Sequence, residues 1–537
     1  MTTALENTYE LDTPVRALAR SAARFGDNTL VDFDGTTFSF NDVERRSTRM
    51  ANALRALGIE ARESVTTMLD NNIDAIVGWF AISKLDAVWV PMNTAFKRDF
   101  LRHQLVDSES RVVICESAYL GRIVEIAEQL PGVRHILVRD TVGAVPPCPI
   151  PILLLDDFRG DDDSPLAPAA QPGDLACLAY TSGTTGASKG CMISHNYICN
   201  FARQLHAGLP IRGREDVLWT HSPLFHMNGI AGIVMVGIRF GVRLAIAARF
   251  SLSGFWKDIE RSNATMANLV GSPIPLICGA PESPEQLRCV GRLVCIWGAP
   301  ISAQSRSVME NRFGVAYVNP YGYGQSEGCK VTTLDYGEIP GPIGSIGRSN
   351  GDFDVRIVDD DDNVLPPGQS GEIVYRPNKP HIMFEGYWRQ PEATLVACRG
   401  LWMHSGDIGR LDADGNLYFI DRKKDYLRHG GENVSSVELE TVFLQHSAVQ
   451  EVAVHAVRSE LAEDDIKATI VLRTGAEVSE EELCRWSTNR LPHFAVPRFI
   501  EFRNELPRNP VGRILKFQLR DEGRTPATWD RSRSTWK

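Results

Sequence analysis

The fold of this 537-residue chain is decided by one polar stretch, Thr181-Ser182-Gly183-Thr184-Thr185-Gly186-Ala187-Ser188-Lys189-Gly190. It follows an apolar run at residues 175–180, which has the composition of a buried strand. The three glycines let the backbone approach a ligand and point its N–H groups outward, and the hydroxyl groups add further donors. Lys189 adds a positive charge, so an anion such as a phosphate group is the expected ligand.

Two other interpretations of this loop are weaker. The usual P-loop has a glycine directly before its lysine and a serine or threonine after it, whereas Ser188 and Gly190 flank Lys189. A flexible surface loop would have a similar composition. The position directly after a buried strand favours ligand binding over a surface loop.

Strands and helices alternate in the first hundred residues. The predicted elements are strands at 30–33, 64–69 and 88–91, and helices after Ser39, at 73–83 and through 100–105. Ser39 and Asp42 have the spacing of a helix capping box, and Gly58 stands where a left-handed residue would end that helix. This alternation predicts a parallel sheet that is covered by helices.

The pattern of predicted secondary structure changes twice towards the C-terminus. From residue 352 onward, short strands at 353–358, 371–375 and 416–420 indicate a β-rich section. The last hundred residues predict a compact α+β unit with strands at 449–457 and 466–472. In that unit, Ser479 and Glu482 open a helix that runs to about residue 491. The predicted domains are therefore 1–423 and 424–537.

Composition excludes several classes of protein. The formal charge of −10 is spread along the chain with no dense basic stripe, which argues against a nucleic-acid partner. The eleven cysteines contain no C-x-x-C pair, so we expect reduced residues rather than a disulfide framework or a zinc site. The longest apolar run, residues 229–238, is too short to span a bilayer. We expect a cytoplasmic enzyme without a membrane-spanning segment.

Further motifs follow the phosphate loop in a fixed order. They are Pro223-Leu224-Phe225-His226, Trp297-Gly298-Ala299-Pro300, Tyr323-Gly324-Gln325-Ser326-Glu327, Ser405-Gly406-Asp407, Asp421-Arg422-Lys423-Lys424-Asp425 and the segment 507–516. With these motifs the chain resembles the adenylate-forming superfamily of acyl-CoA synthetases, firefly-luciferase-like enzymes and peptide-synthetase adenylation domains. The resemblance implies an ATP-dependent acyl-CoA ligase. Such an enzyme forms an acyl-adenylate with release of pyrophosphate, and then transfers the acyl group to coenzyme A with release of AMP.

The resemblance also implies an α/β architecture. It consists of a large N-terminal region of two sheet-and-helix subdomains with a small β-barrel, followed by a small mobile α+β C-terminal domain. Lys424 matches the hinge of the family. A hinge is needed because the C-terminal loop delivers a cation in the first half-reaction, whereas the thiol of coenzyme A enters from the same side in the second.

The resemblance assigns most of the motif residues to ATP, Mg²⁺ and coenzyme A. Glu327 and Thr184 match the residues that hold Mg²⁺. Asp407 matches the carboxylate that binds the ribose, and Arg422 matches the cation that reaches the ribose or the phosphate side. The other nucleotide residues are Thr181, Ser182, Gly183, Thr185, Lys189, Gly298, Ala299, Pro300, Tyr321, Gly322, Tyr323, Gly324, Gln325 and Ser326. Residues 426–434, with Gly430 and Gly431, match the wall of the pantetheine tunnel.

A second group of residues matches the acyl site of the family. It contains His226, Met227, Asn228, Trp297, Gly322 and Gly324. A histidine between Phe225 and Met227 would ordinarily be a core residue, but its motif position makes it a neutral gate or hydrogen-bonding group of the catalytic site. Trp297 stands where the family usually has glycine, and its ring would narrow the pocket. Gly324 stands where acetate-specific members carry tryptophan.

The C-terminal motif departs from the family pattern. The lysine that normally follows its glycine is replaced by Arg513, and the next lysine is Lys516. Arginine keeps the charge but presents a larger planar head. Either Arg513 supplies the cation for adenylation, or a shifted loop lets Lys516 do so.

Other functions within the resemblance stay open. A stand-alone adenylation enzyme would load a carrier protein in trans, because only 21 residues follow Lys516. A non-catalytic homologue would bind acyl groups or nucleotide without turnover. The segments 90–96 and 100–105 look most like the crotonobetaine/carnitine and general fatty-acyl ligase branch. The sequence leaves open which small carboxylic acid is used and whether the chain forms a homo-oligomer.

Overall fold

The computed structural model describes most of the chain. The described residues are 9–140, 143, 147–181, 188–271, 273–299, 301–319, 322–337, 342, 344–423, 427–429, 432–458, 464–491, 495–509 and 512–533. They divide into two compact units: Met1–Asp354 with Arg376–Leu401, and Val355–Tyr375 with Trp402–Lys537. The division at residues 423 and 424 stays a prediction, and its hinge residue Lys424 lies outside the described residues.

The strands of both units are numbered in chain order. They are β1 (Thr29–Phe33), β2 (Thr36–Ser39), β3 (Ser64–Met68), β4 (Val88–Pro91), β5 (Val112–Glu116), β6 (His135–Arg139), β7 (Ile152–Leu154), β8 (Leu175–Thr181), β9 (Lys189–Ser194), β10 (Val217–Thr220), β11 (Arg243–Ile246), β12 (Met266–Val270), β13 (Cys295–Ala299), β14 (Tyr317–Asn319), β15 (Phe353–Val358), β16 (Gly371–Pro377), β17 (Met403–Leu411), β18 (Leu417–Arg422), β19 (Leu427–His429), β20 (Glu432–Val434), β21 (Val449–Arg458), β22 (Asp464–Leu472), β23 (Phe499–Phe502) and β24 (Trp529–Asp530).

The α-helices are numbered in the same way. They are α1 (Pro14–Phe25), α2 (Phe40–Ala56), α3 (Ile73–Lys84), α4 (Arg98–Asp107), α5 (Ser117–Val124), α6 (Leu155–Phe158), α7 (His195–Ala207), α8 (Met235–Phe240), α9 (Phe255–Ser262), α10 (Pro273–Gly279), α11 (Pro284–Arg288), α12 (Ala303–Asn311), α13 (Pro391–Ala397), α14 (Ser436–Phe443), α15 (Glu480–Thr488) and α16 (Lys516–Glu522). A π-helix at Asn228–Val234 leads directly into α8.

Two seven-stranded sheets form the framework of the first unit. One has the strand order β7-β6-β5-β3-β4-β8-β9, and the other has the order β14-β13-β12-β10-β11-β1-β2. The pairs within each sheet are parallel except at one edge, where β8 pairs with β9 and β1 with β2 in antiparallel fashion. The predicted pair of sheet-and-helix subdomains is confirmed.

Local sequence signals account for the first elements. The Ser39 side chain accepts the backbone N–H of Asp42, and Asp42 in turn accepts the backbone N–H of Ser39, so the predicted capping box begins α2. Gly58 has φ +85°, the left-handed conformation expected just after this helix. Each sheet then buries an apolar cluster against its helices, one around Trp219, Phe255 and Ile296 and the other around Val113 and Ile136.

The second unit is built from smaller sheets. The predicted β-rich section is a four-stranded sheet with the order β15-β16-β17-β18, where the sequence suggested a small barrel. The C-terminal sheet has the order β21-β22-β23-β24 and packs a core around Phe443, Val454 and Leu483. Ser479 and Glu482 cap α15 as predicted, although this helix ends at Thr488 rather than near residue 491. Among the described helices, none is long and apolar enough to cross a membrane.

Candidate active site

The phosphate loop connects two antiparallel strands. β8 ends at Thr181 and β9 begins at Lys189, and these two residues are paired across the sheet edge. Ser182, Gly183, Thr184 and Thr185 lie between them and outside the described residues. A strand follows the loop, whereas a helix follows an ordinary P-loop, which agrees with the distinction made from the sequence. At the end of the loop, directly before β9, the carbonyl oxygen of Ser188 lies 2.8 Å from Nε2 of His103.

Tyr387 connects the lysine of the loop with the predicted metal ligand. The ammonium group of Lys189 lies 4.8 Å from the centroid of the Tyr387 ring. The hydroxyl of the same tyrosine donates a 2.8 Å hydrogen bond to Oε1 of Glu327. Lys189 and Glu327 are thereby held on two sides of one side chain, although 138 sequence positions separate them.

The segment that carries Tyr387 is fixed by backbone hydrogen bonds. Glu385 donates its N–H to Met192 and Trp388 donates to Gly190, so this segment runs along β9. Its neighbour Phe384 donates its N–H to the carbonyl oxygen of Glu327 at 2.8 Å. The backbone therefore positions both the lysine strand and the Glu327 segment against the tyrosine.

The surroundings of Glu327 suit a magnesium ion that is bound together with phosphates. Glu327 is buried, and burial together with the charge of this carboxylate raises the pKa of Tyr387, which stays a hydrogen-bond donor. Among the residues that the structure describes, no group of three or more His, Cys, Asp or Glu could hold a metal ion. Mg²⁺ bound through substrate phosphates needs only one or two carboxylates, so the single predicted ligand Glu327 is compatible with such a site.

The predicted adenine segment is shaped by close backbone contacts. A Cβ on Gly298 would lie 1.6 Å from the carbonyl oxygen of Leu269, and a Cβ on Gly324 would lie 1.4 Å from that of Cys329. Any side chain there, including the tryptophan of acetate-specific members, would require the backbone to move. The buried Tyr323 receives a hydrogen bond on its hydroxyl from Gln325 at 3.1 Å.

The other predicted nucleotide residues of this unit are placed by backbone contacts or by the end of a strand. The carbonyl oxygen of Ser326 accepts the hydroxyl of Tyr197 at 2.8 Å, and Ala299 ends β13. Gly322 has φ +94°, and a Cβ there would lie 2.2 Å from the carbonyl oxygen of Thr332. Pro300 and Tyr321 lie outside the described residues.

The predicted acyl residues lie at the start of the π-helix. His226 is exposed, and desolvation lowers the pKa of its imidazole. The imidazole is therefore neutral at pH 7. The backbone carbonyl oxygen of His226 accepts the N–H of Gly229 at 3.0 Å. Met227 is the residue that precedes the π-helix, and Asn228 is its first residue.

A buried amide network supports this corner. Asn228 Nδ2 donates to Ser222 Oγ at 3.1 Å and to Asn268 Oδ1 at 3.0 Å, and Ser222 donates to the same Asn268 oxygen at 2.8 Å. Asn71, from the other sheet-and-helix layer, donates to the carbonyl oxygens of Ser222 and Ala247. The acyl corner is thus lined by neutral polar groups that already have partners.

Trp297 belongs to a buried row across four parallel strands. Register pairs connect Thr220 with Asn268, Asn268 with Trp297, and Trp297 with Asn319. All four residues are at most 1% exposed. The row lies near the carboxyl ends of these strands, the edge at which open α/β sheets bind their ligands.

The second unit brings its two predicted ribose residues together. Asp407 on β17 is the register partner of Arg422 on β18, and Nε of the arginine lies 3.7 Å from Oδ1 of the aspartate. The Asp407 side chain is 8% exposed and that of Arg422 is 37% exposed. A carboxylate and a guanidinium group on one sheet face form a donor and acceptor set that suits vicinal hydroxyl groups.

The two candidate C-terminal cations have different surroundings. Lys516 Nζ lies 2.7 Å from Oε1 of Glu440 and donates to Oγ of Ser436 at 2.6 Å. Asp421 accepts both the N–H and the hydroxyl of Ser436, so Lys516 is part of the interior of this unit. Arg513 is exposed in a tight turn, and its backbone exchanges hydrogen bonds with Asn509. Gly430 and Gly431 lie outside the described residues.

Tyr387 and Asn268 contact predicted site residues, and the sequence analysis did not single them out. The only local signal for Tyr387 is the pair Gly386-Tyr387, which is common in proteins of any function. Asn268 stands as a polar residue inside the apolar strand at 266–270, and a buried asparagine in such a strand is a signal worth following. Neither residue lies near its partners in sequence.

Comparison with known proteins identifies the family. Residues 18–388 match the family model of the AMP-binding enzymes, and residues 438–513 match that of the AMP-binding enzyme C-terminal domain. The chain belongs to the AMP-binding enzyme family. The crotonobetaine/carnitine–CoA ligase of Salmonella paratyphi B is 30% identical over 93% of this chain and 97% of that protein. The protein of the same name from Citrobacter koseri is 29% identical over 92% and 96%.

Solved structures agree with this assignment. The anthranilate CoA ligase AuaEII in complex with anthranoyl-AMP superposes with a TM-score of 0.84 at 25% identity, over 95% of this chain and 97% of that one. ATP-bound MatB from Rhodopseudomonas palustris has a TM-score of 0.82 at 25% identity, over 95% and 98%. This AMP-binding enzyme is an adenylate-forming acyl-CoA ligase, with ATP and coenzyme A as the co-substrates of its carboxylic acid.

Proposed function

We propose that Lys189, Glu327 and Tyr387 form the phosphate and metal end of the site in which this ligase makes its acyl-adenylate. The observation that supports this assignment is the position of Tyr387 between the ammonium group of Lys189 and the carboxylate of Glu327. Attack of a carboxylate on the α-phosphate brings two anions together, so positive charge and fixed alignment must precede bond formation. Lys189 supplies one fixed cation.

Glu327 and Thr184 would hold Mg²⁺, which neutralises phosphate charge when it is bound. The hydroxyl of Tyr387 fixes one carboxylate oxygen of Glu327, and the carboxylate would bind the ion through its second oxygen. Asp407 and Arg422 hold the ribose. Gly298, Ala299, Pro300, Tyr321, Gly322, Tyr323, Gly324, Gln325 and Ser326 enclose the adenine, and Thr181, Ser182, Gly183 and Thr185 face the phosphates.

Arg513 supplies the adenylation cation in this proposal. Arg513 is exposed in a tight turn, which suits a side chain that binds a substrate, and Lys516 lies in the interior of its unit, held by Glu440 and Ser436. A guanidinium group binds phosphate oxygens in a fork, which suits a role at the α-phosphate. Lys516 is then a positioning residue of the C-terminal unit.

Transfer to coenzyme A requires a second arrangement of the same residues. We place the hinge at Lys424, between domains 1–423 and 424–537, and the pantetheine wall at Gly430 and Gly431. His226, Met227, Asn228, Trp297, Gly322 and Gly324 surround the acyl group. The eleven cysteines are all free, which supports a reducing, cytoplasmic location.

The acid itself is best sought among those named for the relatives. Crotonobetaine, carnitine and anthranilate are therefore the first acids to test, together with short, medium and branched acids. Pyrophosphate release is measured for each acid with ATP and Mg²⁺, with and without coenzyme A. We expect acid-dependent pyrophosphate in both cases and a thioester only with coenzyme A.

Variants assign the residues in the same assay. Lys189→Ala should lower pyrophosphate release at least tenfold, because a fixed phosphate cation is lost. Lys257→Ala, at an exposed position on α9, is the matched control and should leave the rate unchanged. Pyrophosphate release that proceeds equally well in Lys189→Ala would refute the assignment of the phosphate site. Acyl transfer to a carrier protein without thioester formation on coenzyme A would favour the adenylation-enzyme alternative.

A further inference from the structure

The indole N–H of Trp297 is a buried donor that has no partner within the described part of the chain. Trp297 is 1% exposed, and its Nε1 has no hydrogen-bond acceptor among the residues that the structure describes. A buried N–H without an acceptor is unfavourable, and native proteins retain few such groups without a reason. An indole nitrogen can only donate, so the missing partner is an acceptor.

The neighbours of Trp297 in the buried row have partners of their own. Asn268 Oδ1 accepts hydrogen bonds from Thr220, Ser222 and Asn228, and its Nδ2 lies 3.4 Å from the carbonyl oxygen of Trp297. Asn319 Nδ2 donates to the carbonyl oxygen of Gly208 at 2.7 Å. The indole N–H is thus an unfilled donor in a row whose other polar side chains are paired.

The amide network connects this row to the acyl corner. Asn228, which follows His226 by two positions, donates to the same Asn268 whose strand is paired with Trp297. Trp297 also stands directly before Gly298 at the carboxyl end of β13, the end at which α/β sheets bind their ligands. The unfilled donor therefore lies in the part of the fold to which the proposed function assigns the acyl group.

We propose that the indole N–H of Trp297 donates a hydrogen bond to a neutral oxygen on the acyl chain of the substrate. The preferred acids would then carry a hydroxyl, oxo or ether oxygen in addition to the carboxylate that is activated. This inference rests on the proposed function, because it takes Trp297 as a wall of the acyl site.

Neutral partners in this corner favour a neutral acceptor over a second carboxylate. The groups around Asn268 are hydroxyls, amides and a backbone carbonyl, and a buried carboxylate would need a cation or several donors. Lys330 is a buried cation near the predicted acyl residue Gly322, because its Cε would lie 3.4 Å from a Cβ on that glycine. A cation is the kind of group that a second carboxylate on the substrate would need. A dicarboxylic acid therefore has to be an arm of the test.

The test compares acids that differ only in the second group. One series is pentanoate, its hydroxy and oxo derivatives, and pentanedioate, and the other is benzoate with its hydroxy derivatives. Acid-dependent pyrophosphate release gives kcat/KM for each acid in the wild type and in Trp297→Phe, which keeps an aromatic ring but removes the N–H. We expect the wild type to prefer an oxygenated acid, and Trp297→Phe to lose about tenfold or more of that preference.

Trp79→Phe is the matched control. Trp79 is also fully buried, and its Nε1 also has no acceptor among the described residues, but it stands on α3 beside the ring of Trp89. This variant should keep the wild-type preference among acids. A second readout is the indole ¹⁵N–¹H resonance that is absent from Trp297→Phe, which should shift in the wild type when the preferred acid is added.

Each other result overturns the inference. An equal loss for plain and oxygenated acids would show that Trp297 shapes the site without reading the acyl oxygen. A wild-type preference for plain or dicarboxylic acids would exclude the neutral acceptor. If plain acids give pyrophosphate but Trp297→Phe does not change the ratio of kcat/KM between oxygenated and plain acids, the inference fails and the proposed function stands. If no acid gives pyrophosphate, the inference and the proposed function both fail.

Discussion

The hydroxyl of Tyr387 donates a 2.8 Å hydrogen bond to Oε1 of Glu327, and both side chains are at most 8% exposed. The same tyrosine ring lies 4.8 Å from the ammonium group of Lys189. A single aromatic side chain therefore lies between the Lys189 cation and the Glu327 carboxylate, which we propose to serve the phosphates and Mg²⁺. The geometry of the phosphate site depends on a residue that contacts neither ATP nor Mg²⁺ in our proposal.

Tyr387→Phe should weaken the response to Mg²⁺ while leaving the fold intact. The variant keeps the ring that packs against Lys189 and removes only the hydrogen bond that fixes Glu327, a bond to a charged group worth about 1.5–3 kcal/mol. We expect the Mg²⁺ concentration for half-maximal pyrophosphate release to rise about tenfold. Tyr119→Phe removes a similar bond to Asp70 and is the control. An unchanged Mg²⁺ dependence would contradict a positioning role for Tyr387.

Substitution of Arg513 should lower activity, whereas substitution of Lys516 should mainly lower stability. Lys516→Ala leaves Glu440 without its cation in a mostly buried site, and loss of one partner should lower the free energy of unfolding by about 2–4 kcal/mol. Arg513→Ala should lower pyrophosphate release at least tenfold with little change in thermal unfolding, and Arg513→Lys should retain more activity than the alanine variant. The opposite pattern, with stable but inactive Lys516→Ala, would assign the cation to Lys516.

His226 should set an acid limit of activity below pH 6.5. Desolvation lowers the pKa of its imidazole from the ordinary 6.5, so the group stays neutral at pH 6.5 and gains a proton only in more acidic solution. Protonation would place a charge in a site that requires a neutral group, and kcat/KM for the acid should fall there. His226→Gln should lack this component, whereas His381→Gln, at a half-buried histidine beside Glu385, should retain it. An acid limb above pH 6.5 that vanishes in His226→Gln would contradict the assignment.

Lys330 should destabilise the folded chain at neutral pH. Burial lowers the pKa of its ammonium group from 10.5 to about 8, although the charge of Asp335 acts in the other direction. Between pH 8 and 10.5 the unfolded chain binds more protons at this residue, so stability rises with pH across that range. Below pH 8 the cost of the buried charge is fully present.

Replacement of that lysine by an apolar residue gives the measurement. Lys330→Met should raise the free energy of unfolding at pH 7 by about 3 kcal/mol at most, and the gain should disappear as the pH approaches 10.5. Lys84→Met is the contrasting variant, because Lys84 is buried against Glu44 at 2.6 Å and its removal should destabilise. A gain for Lys330→Met that is equal at pH 7 and pH 10 would refute the charge-based explanation.

Sequence patterns predicted the local elements well. Ser39 with Asp42 and Ser479 with Glu482 cap their helices as expected, because a capping box depends on atoms that lie within three residues of each other. The helix at Ser479 nevertheless ends earlier than its pattern indicated. The order of the motifs along the chain also led to the family, since each motif is a short run of residues that can be recognised without knowledge of the tertiary structure.

The choice between the C-terminal cations shows where local patterns end. Both Arg513 and Lys516 are basic and lie three positions apart, so spacing could not separate them. The difference arises from Glu440 and Ser436, which lie in α14 and reach Lys516 across the C-terminal unit. Packing brought Glu440 to Lys516, which no local pattern of the sequence indicates.

The sequence by itself indicated which short segments become strands and helices and which family this ligase joins, and it predicted that Lys189 belongs to an anion-binding loop. Tertiary structure decided which side chains meet. It paired Tyr387 with Glu327 and Asp407 with Arg422, and it built the buried row in which the Trp297 N–H has no acceptor among the residues that the structure describes. The physical reason is range. Capping, periodicity and loop composition act over a few residues, whereas hydrogen bonds and burial at the site join residues that only the register of the sheets and the packing of their connections bring together.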